Sequence, residues 1–337
     1  MFIGALMGFV GVGLGAFGAH GLKGRLSAEM LAVFETGVRY QMYHALALLA
    51  LGALMSRLEG RAVVVAGWSF TAGILIFSGS LYALALSGVT MLGYTLYEAW
   101  KLPKEARERI YAILFLIALN PLFWGLFEQA GGSLSLYTDK FVDRRGVPTS
   151  LFQSINPIYI VTIGPIFAGL WQYLGKRGLA PSAPAKFGIA LILVGLGFLV
   201  FVWGAQAIGV GAMTPVFLVF LIYLLHTTGE LCLSPVGLSA MTRLAPLHLG
   251  SFIMGAWFYM SAVGNFVAGK IGEATGGESG VMSQATTLEV YARIGWFSIG
   301  VAVVVLLVSP IVRRWMHLDT LEDRAEATDA EVSPKPT

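Results

Sequence analysis

The sequence predicts an all-α, polytopic membrane protein with about nine membrane-spanning helices, because apolar segments long enough to cross about 30 Å of hydrocarbon recur along the chain. Of its 337 residues, 56% are hydrophobic and 12% are charged. Such a composition is too apolar for a soluble globular protein. Little polar sequence separates the apolar segments, so we expect no extramembrane domain and a multi-pass arrangement in the bilayer.

Composition also argues against several other classes of function. The single cysteine, Cys232, excludes an intramolecular disulfide and a cysteine-rich metal site. The net charge of +3 is spread over the connecting loops, which gives no support for nucleic-acid binding. We find no nucleophile–base pair, phosphate-binding loop or metal-ligand cluster, so we predict neither an enzyme nor a bound metal or cofactor.

The first part of the chain, residues 1–92, is predicted to cross the membrane three times. The spans are expected at 2–19, 42–55 and 63–86, with an interfacial helix over 26–40 capped by Ser27. Glycines at 4, 8, 11, 15 and 18 form a small-residue stripe, typical of close helix packing in membranes. His20 and His44 lie where these helices meet, and structural hydrogen bonding explains them better than metal binding.

Three blocks in this region carry a family resemblance. They are Leu14-Gly15-Ala16-Phe17-Gly18-Ala19-His20-Gly21-Leu22, Gln41-Met42-Tyr43-His44-Ala45 and Phe77-Ser78-Gly79-Ser80-Leu81-Tyr82. In this order they resemble the YgdD-like family of small, uncharacterised inner-membrane proteins. The resemblance implies a helical membrane fold and an inner-membrane location, and it implies no chemistry.

A charged, amphipathic segment over 93–109, interrupted by Pro103, is the predicted linker to the second part. Six further spans are expected within 110–316, at 110–131, 151–174, 187–208, 215–238, 249–272 and 290–311, followed by a disordered polar tail over 317–337. Basic residues fall in alternate connections, which the positive-inside rule places in the cytoplasm. These residues are Lys101, Lys104, Arg107 and Arg109, then Lys176, Arg177 and Lys186, then Arg243, and then Arg313 and Arg314.

Two of the later spans contain glutamates, which are costly at bilayer depth unless they face a cavity or a partner. Glu128 shares a helix face with Asn120 and Trp124, and Glu230 shares one with His226 and Ser234. Prolines 121, 157 and 235 also fall within spans. A lone proline indicates only a bent helix, but glutamates combined with interrupted helices are typical of secondary transporters.

The motifs of the second part carry a closer resemblance. They are Asn120-Pro121-Leu122-Phe123-Trp124 with Phe127-Glu128-Gln129, Phe152-Gln153-Ser154-Ile155-Asn156-Pro157, Gly229-Glu230-Leu231-Cys232-Leu233-Ser234-Pro235-Val236-Gly237-Leu238-Ser239 and Met254-Gly255-Ala256-Trp257-Phe258. Residues 94–320 therefore resemble the C-terminal half of the proton-dependent oligopeptide transporters of the major facilitator superfamily. The resemblance implies a six-helix half bundle.

It also implies roles for individual residues. Glu230 would hold the amino terminus of a peptide and Asn156 would bind its backbone, with Ser234, Trp257 and Asn120 as further substrate-binding residues. Glu128 would form a gating ion pair with a lysine from an N-terminal half and take part in proton coupling. His226, one turn before Glu230, is a candidate for the same proton relay, and a histidine bonded to a neighbouring helix explains it equally well.

The function these observations predict is proton-coupled transport of di- and tripeptides, driven by the proton gradient. The Glu-x-x-Glu-Arg signature of the family's first span does not occur in the three YgdD-like spans, which stand in place of the N-terminal six-helix half. Because alternating access rocks one half against the other, we expect transport to need a second bundle in trans or a homodimer. The alternative is a non-transporting membrane protein that arose by fusion or truncation.

Overall fold

The computed structural model describes residues 1–26, 28–54, 61–209, 211–276 and 281–321. The described residues are almost entirely helical and form two compact units, of which the first is Met1–Lys101 and the second begins at Leu102. The predicted helix cap Ser27 and residues 322–337 of the predicted tail lie outside the described residues. Within the same tail, residues 318–321 form a helical turn.

The described residues of the first unit form four α-helices. They are α1 Phe2–Ala16, α2 Ala28–Leu54, α3 Arg61–Gly73 and α4 Gly79–Lys101. Two π-helical segments accompany them, at Phe17–Leu22 after α1 and at Ile74–Ser78 between α3 and α4. The glycine stripe of α1 is its contact face with α2: a Cβ added at Gly4 would lie 2.9 Å from the Leu49 nitrogen, and one added at Gly11 would lie 2.8 Å from the Met42 sulfur. The close approach of the α2 backbone therefore requires glycine at position 4, whereas at Gly11 the contact is with a side chain.

Side-chain hydrogen bonds also join the helices of this unit. The Tyr82 hydroxyl donates to Gln41 Oε1 over 2.9 Å, and Gln41 Nε2 donates to the Met7 carbonyl over 2.9 Å, so Gln41 links α1, α2 and α4. His44 Nδ1 bonds the Tyr40 carbonyl one turn back at 2.7 Å. The polar residues of the Gln41–Ala45 block thus serve the packing of the unit.

Eight helical segments within the described residues are long and apolar enough to cross a membrane. They correspond to eight of the nine predicted spans. The remaining one, predicted at 42–55, lies in α2, where the predicted interfacial helix and the span form one continuous helix up to Leu54. Arg39, Gln41 and His44 lower the apolarity of α2, which explains why it is the exception.

Within its described residues the second unit has eight α-helices, two 3₁₀ turns and one pair of two-residue strands. The helices are α5 Lys104–Phe127, α6 Ser133–Phe141, α7 Thr149–Phe152, α8 Ile155–Lys176, α9 Ala183–Ile208, α10 Val216–Leu244, α11 Gly250–Ala274 and α12 Gln284–Trp315. The parallel strands are Val142–Asp143 and Thr214–Pro215. The predicted linker 93–109 is helical on both sides of a break at Leu102 and Pro103, because proline ends α4 and precedes the first turn of α5.

Helix α9 forms the centre of the second unit. It packs against α10 and α12, while α11 packs against α5. Its buried side chains include Phe187, Leu191, Val194, Phe198 and Phe201. Of the prolines predicted to interrupt spans, Pro121 and Pro235 lie inside α5 and α10, but Pro157 lies in the first turn of α8, where no intrahelical hydrogen bond is lost.

Candidate functional site

A hydrogen-bonded pair between α8 and α10 brings together two of the predicted site residues. Asn156 Nδ2 donates to Glu230 Oε2 over 2.9 Å and to Thr227 Oγ1 over 3.1 Å. Asn156 stands in the first turn of α8, and Thr227 and Glu230 are three residues apart on one face of α10. Both protons of the Asn156 amide are therefore used on α10, one by Glu230 and one by Thr227.

The same geometry leaves two oxygen acceptors for a ligand. Glu230 Oε1 and Asn156 Oδ1 accept no hydrogen bond from the described residues, and no described lysine or arginine forms an ion pair with Glu230. Glu230 and Asn156 are each partly accessible. A group that carries several N–H donors and a positive charge, such as a primary ammonium, has the chemistry that such acceptors bind.

Glu128 follows the last residue of α5 and begins a 3₁₀ turn over Glu128–Ala130. It borders a cavity of about 380 Å³ that also includes Asn265 of α11 and a run of glycines. Among the described residues its carboxylate forms no hydrogen bond or ion pair. Glu128 directly follows α5 and Glu230 lies on α10, and these two helices pack against each other, so the structure places both predicted glutamates on neighbouring helices.

Asn120 and Trp257, by contrast, join α5 to α11. Asn120 is fully buried, and its Nδ2 donates to the Trp257 carbonyl over 2.8 Å and to Ser261 Oγ over 3.0 Å. The Trp257 ring is 3% exposed and packs against Phe187 and the face of α10 at Gly237. These two predicted substrate-binding residues are thus committed to helix packing, and neither is hydrogen-bonded to the Asn156–Glu230 pair.

His226 likewise faces the interior of the unit. It is 2% exposed, its Nε2 lies 3.2 Å from the Val194 carbonyl of α9, and its ring contacts Phe198 and Phe127. Of the two interpretations open at the sequence level, this geometry matches a histidine bonded to a neighbouring helix. Ser234, the next residue of the same stripe, is half-buried on α10 one turn beyond Glu230.

Sequence reasoning missed the residues that hold these groups in position. Thr227 accepts one of the two hydrogen bonds that the Asn156 amide donates, and Glu230 accepts the other. The signal available in the sequence was that Thr227 lies three residues before Glu230, on the same helix face. Gln129 anchors the turn that carries Glu128: its Nε2 donates to the Gly125 and Ala268 carbonyls, and its Oε1 accepts from Ser133 Oγ at 2.6 Å. Ser133 in turn bonds the Tyr291 hydroxyl of α12, a contact between distant parts of the chain that no local pattern predicts.

Comparison with known proteins places this arrangement in a family. The family model described as "POT family" matches residues 77–288, and the one described as "Protein of unknown function (DUF423)" matches residues 14–96. The chain belongs to the POT family. Both resemblances stated from the motifs are confirmed, and the two POT glutamates, Glu128 and Glu230, lie inside the matched range.

Individual POT relatives agree with this assignment. The chain is 36% identical over 251 residues to the peptide transporter YePEPT of Yersinia enterocolitica, covering 72% of this chain and 48% of that protein. It is 32% identical over 229 residues to the dipeptide and tripeptide permease B of Shigella dysenteriae, covering 64% and 46%. Thus the chain spans about half the length of these curated relatives. They are transporters and not enzymes.

Solved structures lead to the same fold. The crystal structure of a mutant of the peptide transporter POT aligns with a TM-score of 0.62 at 28% identity, covering 82% of this chain and 54% of that one. A POT family transporter in complex with 5-aminolevulinic acid aligns with a TM-score of 0.60 at 25% identity. Together with the eight apolar helices, these likenesses identify the chain as a multi-pass membrane protein of the major-facilitator type.

Proposed function

We propose that the second unit binds short peptides by their amino terminus and that the chain takes part in proton-coupled peptide transport across the inner membrane. The observation that carries the proposal is the Asn156–Glu230 hydrogen bond of 2.9 Å. It fixes one carboxylate oxygen and leaves two acceptors without a partner among the described residues, Glu230 Oε1 and Asn156 Oδ1. A peptide α-ammonium supplies three donors and one positive charge, so it matches this pair.

Proton coupling is assigned to Glu128 and Glu230. Removal of a carboxylate from water favours its protonated form, whereas an arriving ammonium favours the ionised form. In this scheme Glu230 is ionised and receives the ammonium, so the proton is carried by Glu128 and is released when the positive charge of the substrate binds. His226 is left out of this relay, because its ring is buried against Val194 and two phenylalanines.

Transport by this chain requires a second bundle. The region that matches the transporters spans about half their length, and alternating access depends on two halves that rock around a shared site. The proposal therefore includes a homodimer or a second bundle in trans, whose surface would provide a cationic partner for Glu128. A structural relative described as tetrameric is consistent with higher assembly in proteins of this fold.

Binding is tested first, because it does not depend on the second bundle. Isothermal titration of the full chain in detergent should detect dialanine and should not detect its N-acetyl derivative, which lacks the ammonium group. Glu230→Gln should abolish binding, whereas Glu273→Gln should leave it unchanged, because Glu273 is an exposed glutamate of α11 that pairs with Lys270. Equal binding of the two ligands, or binding that survives Glu230→Gln, rules out the amino-terminus site.

Transport is tested in proteoliposomes. An inward proton gradient should drive uptake of labelled dialanine by the unmodified chain and by Glu273→Gln, and not by Glu230→Gln. Equal uptake with and without the proton gradient would contradict proton coupling. Peptide binding without any uptake contradicts transport by this chain alone and favours the alternative of a non-transporting membrane protein.

A further inference from the structure

A break in the helical path between α5 and α6 carries Glu128. The 3₁₀ turn Glu128–Ala130 is followed by two glycines, and α6 begins directly after them. The backbone N–H groups of both glycines donate to carbonyls of the turn, but the Ala130 carbonyl accepts from no backbone N–H of the described residues. A carbonyl left over at a helix end needs another donor at membrane depth, where water is scarce.

Two side chains donate to the Ala130 carbonyl. They are the Tyr223 hydroxyl of α10 and Gln153 Nε2, and each lies 3.4 Å from the carbonyl oxygen. Tyr223 is seven residues before Glu230, about two helical turns, so the two share a face of α10. Gln153 directly follows α7 and is three residues before Asn156. The two segments that form the Asn156–Glu230 pair therefore also bind the helix break.

The opposite side of the break is held more firmly. Gln129 Nε2 donates to the Gly125 and Ala268 carbonyls over 2.9 and 3.0 Å, and Ser133 Oγ donates to Gln129 Oε1 over 2.6 Å. The two bonds to the Ala130 carbonyl are longer than the about 2.9 Å of a strong hydrogen bond, so they are weaker. A small displacement of α8 or α10 therefore changes the contacts of Ala130 before it changes those of Gln129.

The Glu128 carboxylate forms no hydrogen bond or ion pair among the described residues, so the backbone of the turn determines where it lies. Given the function proposed above, on which this step rests, we propose that Tyr223 and Gln153 are positioning residues for proton coupling. Through the Ala130 carbonyl they hold Glu128 at a fixed distance from Glu230. The charge of a bound ammonium acts on the Glu128 proton with a strength that falls with distance, so a loosened break weakens the coupling and leaves the peptide site in place.

The number of protons released on peptide binding measures this coupling. Isothermal titration of the full chain in detergent with dialanine, in buffers of different ionisation enthalpy, gives that number at each pH of a series. The unmodified chain should release up to about one proton, which raises the affinity about tenfold per pH unit. Tyr223→Phe combined with Gln153→Met removes both donors at nearly constant volume. This double variant should still bind dialanine, with its maximal proton release lowered at least about twofold.

Tyr159→Phe is the matched control. The Tyr159 hydroxyl also donates to a backbone carbonyl over 3.4 Å and also joins α8 to α10, but its acceptor is Phe220 and not the break. This variant should release as many protons as the unmodified chain does. Equal losses in Tyr159→Phe and in the double variant would overturn the proposal, because any loosening of α8 against α10 would then be sufficient.

Full proton release in the double variant would also overturn the proposal and would leave Tyr223 and Gln153 a purely structural role. If the double variant does not fold, Tyr223→Phe alone, which removes one oxygen atom, should still lower the release, and an unchanged release would refute the positioning role. Dialanine binding without proton release by the unmodified chain would refute the proton coupling of the proposed function and this role with it. Normal release by the unmodified chain and the double variant alike refutes the positioning role only.

Discussion

The hydrogen bonds of Asn156 allow a quantitative test of the candidate site that does not depend on transport. Asn156 donates to a charged acceptor, Glu230, over 2.9 Å and to a neutral one, Thr227, over 3.1 Å. Both acceptors lie on α10, so the two bonds share a donor, a pair of helices and an environment. Replacing each partner by alanine, singly and in pairs, completes two double-mutant cycles.

The expected coupling energies follow from the type of bond. Interhelical hydrogen bonds in membrane proteins contribute about 0.6 kcal/mol on average and about 1.7 kcal/mol at most. A bond to an ionised group is roughly twice as strong as a neutral one. We therefore expect about 0.6 kcal/mol for Asn156–Thr227 and between about 1 and 2 kcal/mol for Asn156–Glu230 at neutral pH.

Reversible unfolding in mixed micelles with increasing dodecyl sulfate measures these free energies. Acidification until Glu230 carries its proton should reduce its coupling to the neutral value, because the charge is lost while an acceptor oxygen remains. The Asn156–Thr227 cycle should not change with pH and serves as the internal control. A coupling between Asn156 and Glu230 no larger than that between Asn156 and Thr227 would refute the view that Asn156 holds an ionised carboxylate ready for an ammonium.

Two further predictions concern the residues around the site. Gly237→Ala should destabilise the chain by about 1–3 kcal/mol, because the added Cβ would overlap the Trp257 ring. The control Gly255→Ala on α11 places its Cβ where nothing lies within 4 Å, so its stability should stay within about 0.5 kcal/mol of the unmodified chain. Equal melting temperatures for the two variants would contradict the α10–α11 packing. His226→Ala should lower the free energy of unfolding by at least about 2 kcal/mol, since it opens a cavity and frees the Val194 carbonyl. Folded His226→Ala should still bind dialanine, and a loss of binding at unchanged stability would return His226 to the proton relay.

The predicted roles of the polar residues divide according to what each one contacts. Glu230 and Asn156, predicted from separate motifs, are hydrogen-bonded across α8 and α10 and remain accessible. Asn120 and His226 share the intramembrane location and polar character of those residues, yet Asn120 donates its amide protons to α11 and His226 bonds the Val194 carbonyl of α9. Polarity within a span therefore indicates that a partner exists, and it does not indicate whether the partner is a ligand or another helix.

The sequence by itself determined the membrane class, eight of the spans, the family and the two glutamates, because these depend on local composition, helical spacing and motifs that lie within single segments. Only the tertiary structure decided that Thr227 shares the amide of Asn156, that Gln129 and Tyr291 secure the turn of Glu128, and that Tyr223 and Gln153 meet at the Ala130 carbonyl. Each of these depends on how helices far apart in the chain pack together. Periodicity predicts which face of a helix is polar, but the neighbour that this face meets depends on helix rotation and crossing, which are set by side-chain packing over the whole bundle.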